Sequence, residues 1–205
     1  MNTRRDLMLG MGTAALGLYA LHSILSLPRP TDAGTTSEQR IPNTPLYTHE
    51  GKAVRFYDDL VRGKVVAINM MYASCTGICP TATANLRQVQ QLLGDRVGRD
   101  VFMYSISLQP LLDSPQVLKA YVEQHHIGPG WQFLTGRPED VEQLRYALGF
   151  YDPDPLVDAD KANHTGLLRI GSDPDQRWTT AAALATPKQI WRTINHVDRT
   201  RLRAA

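Results

Sequence analysis

The run Val65-Val66-Ala67-Ile68-Asn69-Met70-Met71 constrains the fold more than any other stretch of this chain. Neighbouring side chains in a strand point to opposite sides of the sheet, so a nearly unbroken apolar run of strand length must be covered on both faces. The pattern around it alternates. From Pro80 onward, Ala82, Leu86, Val89 and Leu93 fall at helical spacing and Gly94 supplies a stop. Val101–Ser107 is a second buried strand. Ser114-Pro115 reads as a cap and first-turn proline for a helix carrying Val117, Leu118, Tyr121 and Val122. Residues 131–134 make a third strand. Pro138 opens a helix with Val141, Leu144 and Leu148 on one face, closed by Gly149. Residues 51–56 read as a short leading strand and the Asp-rich residues 151–163 as a loop. Residues 165–170 and 177–180 flank the turn Asp173-Pro174-Asp175 as a hairpin, and Thr186-Pro187 caps a last helix with Ile190, Trp191, Ile194 and Val197 inward. Strands alternating with helices predict an α/β domain: a central sheet with flanking helices and an extra hairpin.

The N-terminus reads as an export element. Arg4-Arg5 followed by Leu7 resembles a twin-arginine signal, and an apolar stretch interrupted by Gly, Thr, Ser and His22 runs to Leu27. Residues 1–27 are therefore expected to be a signal or membrane anchor, and 28–45, rich in Pro and polar residues, a linker. A domain over 46–198 and a basic tail over 199–205 complete the organisation. Charge fits this division. The formal net charge is +2, and Arg4, Arg5 and Arg29 against Asp6 account for all of it. The rest of the chain is balanced, which argues against a nucleic-acid binder.

Only two cysteines occur, Cys75 and Cys79. A loop that short is a poor structural staple, so the pair points to chemistry. It lies in Tyr72-Ala73-Ser74-Cys75-Thr76-Gly77-Ile78-Cys79-Pro80, between the end of a buried strand and the start of a helix, where open α/β sheets build their sites. A helix N-terminus favours thiolate over thiol. Two thiolates suit Cu(I) or zinc, but structural zinc takes four protein ligands and no second cysteine pair exists. A third ligand must come from elsewhere. Of the histidines, His22 lies in the export segment, His125, His126 and His196 near helix ends, and His49 in a turn. His164 stands at the entrance to a strand, within reach of the sheet edge. Met70 and Met71 fall on a buried strand and read as core.

Gly51-Lys52, Gly63-Lys64-Val65-Val66, the C-x-x-x-C-P run at 75–80, Asp113 through Tyr121, Trp131-Gln132-Phe133-Leu134-Thr135-Gly136 and Asn163-His164 together resemble the Sco/SenC family, in that family's order over residues 46–198. The resemblance implies a thioredoxin-like fold. It further implies a membrane-tethered or exported copper chaperone, extracytoplasmic (periplasmic), that delivers copper to the dinuclear centre of cytochrome c oxidase or keeps its cysteines reduced. Cys75, Cys79 and His164 are then the ligands of one copper ion per chain, as Cu(I) or Cu(II), and Cys75 and Cys79 also a redox pair. The implied partners are a respiratory oxidase copper subunit or another copper protein and a thiol reductant. No nucleic acid is expected, and membrane contact only through the N-terminal segment. One departure stands out: relatives often read Asp-Pro-x-x-Asp where this chain has Gln109-Pro110-Leu111-Leu112-Asp113, and Asp113 reads as a helix cap. A copper-independent thiol–disulfide oxidoreductase is the alternative; it needs the cysteines but not His164. A peroxidase lacks the expected proline and threonine before its reactive cysteine.

Overall fold

The computed structural model describes residues 41–160 and 166–199, all within one compact unit spanning residues 40–205. Among them a single sheet runs in the order β2-β1-β5-β4-β3-β6-β7. Its strands are β1 (Pro45–Thr48), β2 (Ala53–Arg55), β3 (Val65–Met71), β4 (Val101–Ser107), β5 (Trp131–Gly136), β6 (Leu167–Ser172) and β7 (Arg177–Ala182). The helices are α1 (Ile78–Leu93), α2 (Pro115–Gln124), α3 (Pro138–Ala147), the single turn α4 (Pro155–Asp158) and α5 (Pro187–Val197). The three central strands, β3, β4 and β5, are parallel. The β6–β7 hairpin joins β3 antiparallel on one side, and the β1–β2 hairpin joins β5 antiparallel on the other.

β3 is buried along its whole length, as its sequence demands. Alternation then divides its side chains between two cores. Val65, Ala67 and Met71 face a cluster with Leu86, Val89 and Leu93 of α1, Leu118 and Tyr121 of α2, and Ile190, Ile194 and Val197 of α5. Val66, Ile68 and Met70 face the opposite cluster, with Val141 and Leu144 of α3 and with Phe56, Leu60 and Val61. Burying each such large aliphatic chain contributes about 1.5–3 kcal/mol. Asn69, the polar interruption in β3, is satisfied sideways. Its Oδ1 accepts from the Ser105 hydroxyl at 2.7 Å, and Ser105 Oγ accepts from the Trp131 indole N–H at 2.9 Å. A chain of hydrogen bonds thus crosses the three parallel strands.

The front of the domain differs from the sequence expectation. Residues 51–56 do not make one strand: Gly51 turns with a φ of 80°, β2 is confined to Ala53–Arg55, and Phe56–Val61 winds into a wide helical turn. Pro45–Thr48 is a strand that the pattern had not suggested. Just before it, Asn43 Oδ1 accepts from the N–H groups of Tyr57 and Asp58. The expected loop over 151–163 contains the turn α4. The signal or anchor over 1–27, most of the linker over 28–45 and most of the tail over 199–205 lie outside the described residues.

Candidate dithiol metal centre

β3 delivers the chain to the sheet's edge. The Leu108 N–H donates to the Met71 carbonyl at 2.7 Å, the last link of the ladder, and the chain leaves the sheet at Tyr72. The Cys75 N–H donates back to the Tyr72 carbonyl at 3.1 Å, closing a tight turn. Gly77 is the N-cap of α1 and offers no side-chain acceptor. The helix begins at Ile78, two residues before the expected start at Pro80, so Cys79 is its second residue. Pro80 costs nothing there, because the first-turn amides have no intrahelical partner. The same vacancy frees the N–H groups of Gly77 and Cys79 to donate to the Cys75 sulfur. Both cysteines are thiols, not a disulfide, and both are buried in the cluster that contains Met71.

Burial alone would push the Cys75 thiol up. Hydrogen bonds to its sulfur from the Cys79 side chain and N–H, the Tyr72 hydroxyl and the Gly77 N–H outweigh it, and the thiol lies below its ordinary range. Tyr72 answers in the opposite sense. Its hydrogen bond to Cys75, then burial, then the charges of Cys75, Cys79 and Asp160, push its phenol up to about 12. The site therefore stabilises sulfur as thiolate, the form that binds soft metals and attacks disulfides.

Asp113 is not the cap of α2. Ser114 is, accepting from the Val117 N–H at 3.3 Å. Asp113 turns inward, 1% exposed, where one carboxylate oxygen accepts from the Ala73 N–H at 3.1 Å and from the Ser107 hydroxyl at 2.6 Å. The cap position went to the residue whose side chain could reach N3, leaving the acid free to face the cysteine loop. Sequence reasoning missed this contact, because the two partners are 40 residues apart. Gln109, at the departure from the usual acidic pattern, accepts from the Ser74 hydroxyl at 3.4 Å.

His164 lies outside the described residues. Its neighbours on either side do not. The Asp160 carboxylate is close enough to act on the Tyr72 phenol, and a Cβ placed on Gly166 would stand 3.6 Å from Ile78 Cδ1, between the two cysteines in sequence. Three of the other histidines are engaged elsewhere. His49 Nδ1 accepts from the Phe133 N–H, and the His125 ring lies 4.1 Å from that of Tyr121. Burial and the charges of Arg87 and His126 hold the His125 imidazole below its ordinary range. His196 Nε2 meets the Arg177 guanidinium at 3.1 Å. Among the described residues no three His, Cys, Asp or Glu side chains converge as a metal cluster.

A parallel β3–β4–β5 core with a dithiol at the strand-to-helix junction and helices on both faces defines a thioredoxin-like domain. The sequence profile of the SCO1/SenC family matches residues 36–197, and the chain belongs to that family. A Stutzerimonas stutzeri protein described as copper-binding is 27% identical over 165 residues, 79% of this chain and 75% of that one. Bradyrhizobium japonicum ScoI, solved with copper bound, superposes with a TM-score of 0.59 at 22% identity, over 77% of this chain and 99% of its own. BsSco, described as having a disulfide switch and as a member of the Sco family of cytochrome c oxidase assembly proteins, superposes with a TM-score of 0.61 at 21% identity, over 77% of this chain and 92% of its own.

Proposed function

We propose that this chain is an exported copper chaperone that carries one copper ion on Cys75, Cys79 and His164 and serves a respiratory oxidase copper centre. The observation that carries the reading is that Asp160 acts on the Tyr72 phenol and Gly166 lies against Ile78, two residues of the segment that holds the dithiol. His164 is two peptide links from Gly166, a span of no more than about 8 Å between α-carbons. The relatives described as copper-binding or copper-bound supply the identity of the ion.

The donor set fits a cargo site. Two thiolates favour Cu(I), and an added imidazole widens the site to Cu(II). Three protein ligands leave room for an acceptor's ligand to enter before the last sulfur leaves, so copper can pass by ligand exchange. The helix N-terminus and the Tyr72 hydroxyl favour the thiolate form of Cys75 without a bound metal.

The same pair supports a second reading, a thiol–disulfide oxidoreductase acting on the target's cysteines, favoured by the lowered Cys75 thiol. Cys75 thiolate would attack a partner disulfide, a mixed disulfide would form, and Cys79 would resolve it. Two electrons and two protons pass to the partner's cysteines, and a Cys75–Cys79 disulfide remains for an external thiol reductant. Residues 1–27 are the export or anchoring segment in this reading, with a twin-arginine-like signal and a linker over 28–45 leading to a domain over 46–198. Among the described residues no helix is long and apolar enough to cross a membrane.

Titration of the reduced chain with Cu(I) and Cu(II) tests the proposal. One copper per chain is expected, with binding lost in Cys75→Ala and Cys79→Ala and Cu(II) binding lost in His164→Ala. Undiminished Cu(II) binding in His164→Ala would remove that ligand, and a reduced chain that binds no copper would leave the oxidoreductase.

A further inference from the structure

We propose that Asp113 is a positioning residue for the dithiol: by holding the Ala73 amide from below, its buried carboxylate fixes where Cys75 stands relative to Cys79. The inference deepens the copper reading above and uses it for one of its readouts.

The cysteine loop is exposed on its outer side. Ser74, Thr76 and Gly77 face solvent, and Cys75 alone of residues 74–77 is buried. Two hydrogen bonds tie residues 73–74 to the connection between β4 and α2. The Ser74–Gln109 contact is exposed and long, at 3.4 Å. The Ala73–Asp113 bond is shorter, at 3.1 Å, and its acceptor is shielded from water, so it is the stronger of the two.

Asp113 is itself held on several sides. Its N–H donates to the Gln109 carbonyl at 2.9 Å, and its carboxylate accepts from Ser107, a fully buried residue at the end of β4. Ser107 Oγ in turn accepts from the Gln109 N–H at 3.0 Å. The next residue, Ser114, caps α2 and pins the backbone. The carboxylate is therefore a rigid post between the end of β4 and the cysteine loop, two residues before Cys75. Without it, the Ala73 amide loses a buried acceptor and the turn can swing outward. The sulfur-to-sulfur geometry then depends on the exposed Ser74 contact. Partners that orient metal ligands from outside the coordination sphere change affinity by about 10–100-fold when removed.

The test compares Asp113→Ala with Asp113→Asn, which keeps a carbonyl oxygen able to accept from both Ala73 and Ser107. Three quantities are read: Cu(I) affinity by competition with a chelator, the dithiol reduction potential, and hydrogen exchange at the Ala73 amide. The alanine variant should bind Cu(I) at least about tenfold more weakly, shift the potential and exchange the Ala73 amide faster; the asparagine variant should recover most of all three. An alanine variant matching wild type in affinity and potential overturns the proposal. An asparagine variant as impaired as alanine also overturns it, since charge rather than placement would then be at work. If Asp113→Ala does not fold, Ser107→Ala, which frees the carboxylate, should weaken binding and speed Ala73 exchange; no change in either overturns the proposal. A wild-type chain that binds no copper refutes the copper reading alone, because potential and amide exchange still separate the variants.

Discussion

Arg145 grips both carboxylate oxygens of Asp158, Nη1 to Oδ1 at 2.7 Å and Nη2 to Oδ2 at 2.8 Å. The same guanidinium bonds the Phe150 carbonyl and the Glu142 carboxylate, so the end of α3 and the turn α4 are one unit. This fork-to-fork pairing fixes the chain three residues before the segment that contains His164.

Asp158→Asn should therefore lower the melting temperature at neutral pH. The hydrogen bonds from Arg145, with help from the Asp152 N–H and the Tyr146 hydroxyl, hold the Asp158 carboxyl well below the usual carboxylate range. A depressed folded-state value contributes stability that is fully present above the unfolded value, about 3.9, and is lost as pH falls through the folded one. The gap between wild type and variant should narrow in thermal melts below about pH 4. A constant gap would sever the effect from this carboxylate's ionisation.

Tyr72→Phe should raise the Cys75 thiol toward its ordinary range, because it removes a donor to the sulfur. Ultraviolet titration of the thiolate should show a midpoint at higher pH, and alkylation at neutral pH should slow. An unchanged midpoint would leave the Cys79 side chain and the helix-start amides as the cause.

Arg96 and Asp198 meet at 2.7 Å with side chains 8% and 0% exposed, and Arg96 also donates to Asn195 at 2.7 Å. The pair joins the turn after α1 to the end of α5. Asp198→Ala leaves a buried cation short of its countercharge, and urea unfolding should report a loss of roughly 3 kcal/mol. A loss below about 1 kcal/mol would place the pair in the surface class.

Gly130 has a φ of 82°, and a Cβ there would lie 2.7 Å from the Gly98 nitrogen and from the Val97 carbonyl carbon and oxygen. Backbone cannot yield as a side-chain end can. Gly130→Ala should cost more than the about 1–3 kcal/mol of a strained φ alone, seen as a lower urea midpoint, while Gly149→Ala, with open space around it, should cost no more than that strain.

What could be read from sequence follows from what is local. β3 declared itself by an apolar run, and α5 by Thr186, whose side chain and Gln189 form a reciprocal cap. The dithiol loop could be placed because a buried strand and a helix start bracket it directly. β1 could not be read in this way. It is four residues long, opens on a proline, and owes its existence to β5, with Leu46 opposite Gly136 and Thr48 opposite Leu134. Asp113 was hidden for the same reason. Beside Ser114 it has the chemistry of a cap, and only the folded β4–α2 connection shows that it faces Ala73 instead. Local pattern sets the elements; contacts between segments distant in sequence set the roles of individual polar groups.

The hydrogen-bonded line from Asn69 through Ser105 to Trp131 has a bearing on how the sheet assembles. Because strand side chains alternate with a period of two, shifting β3 by one residue against β4 would swing Asn69 toward the apolar α3 side and part it from Ser105. Each orphaned polar group would then cost about 1–3 kcal/mol. Three otherwise interchangeable apolar strands thus carry an alignment key that disfavours mispaired arrangements, and the strand that delivers the cysteine loop is held in one register.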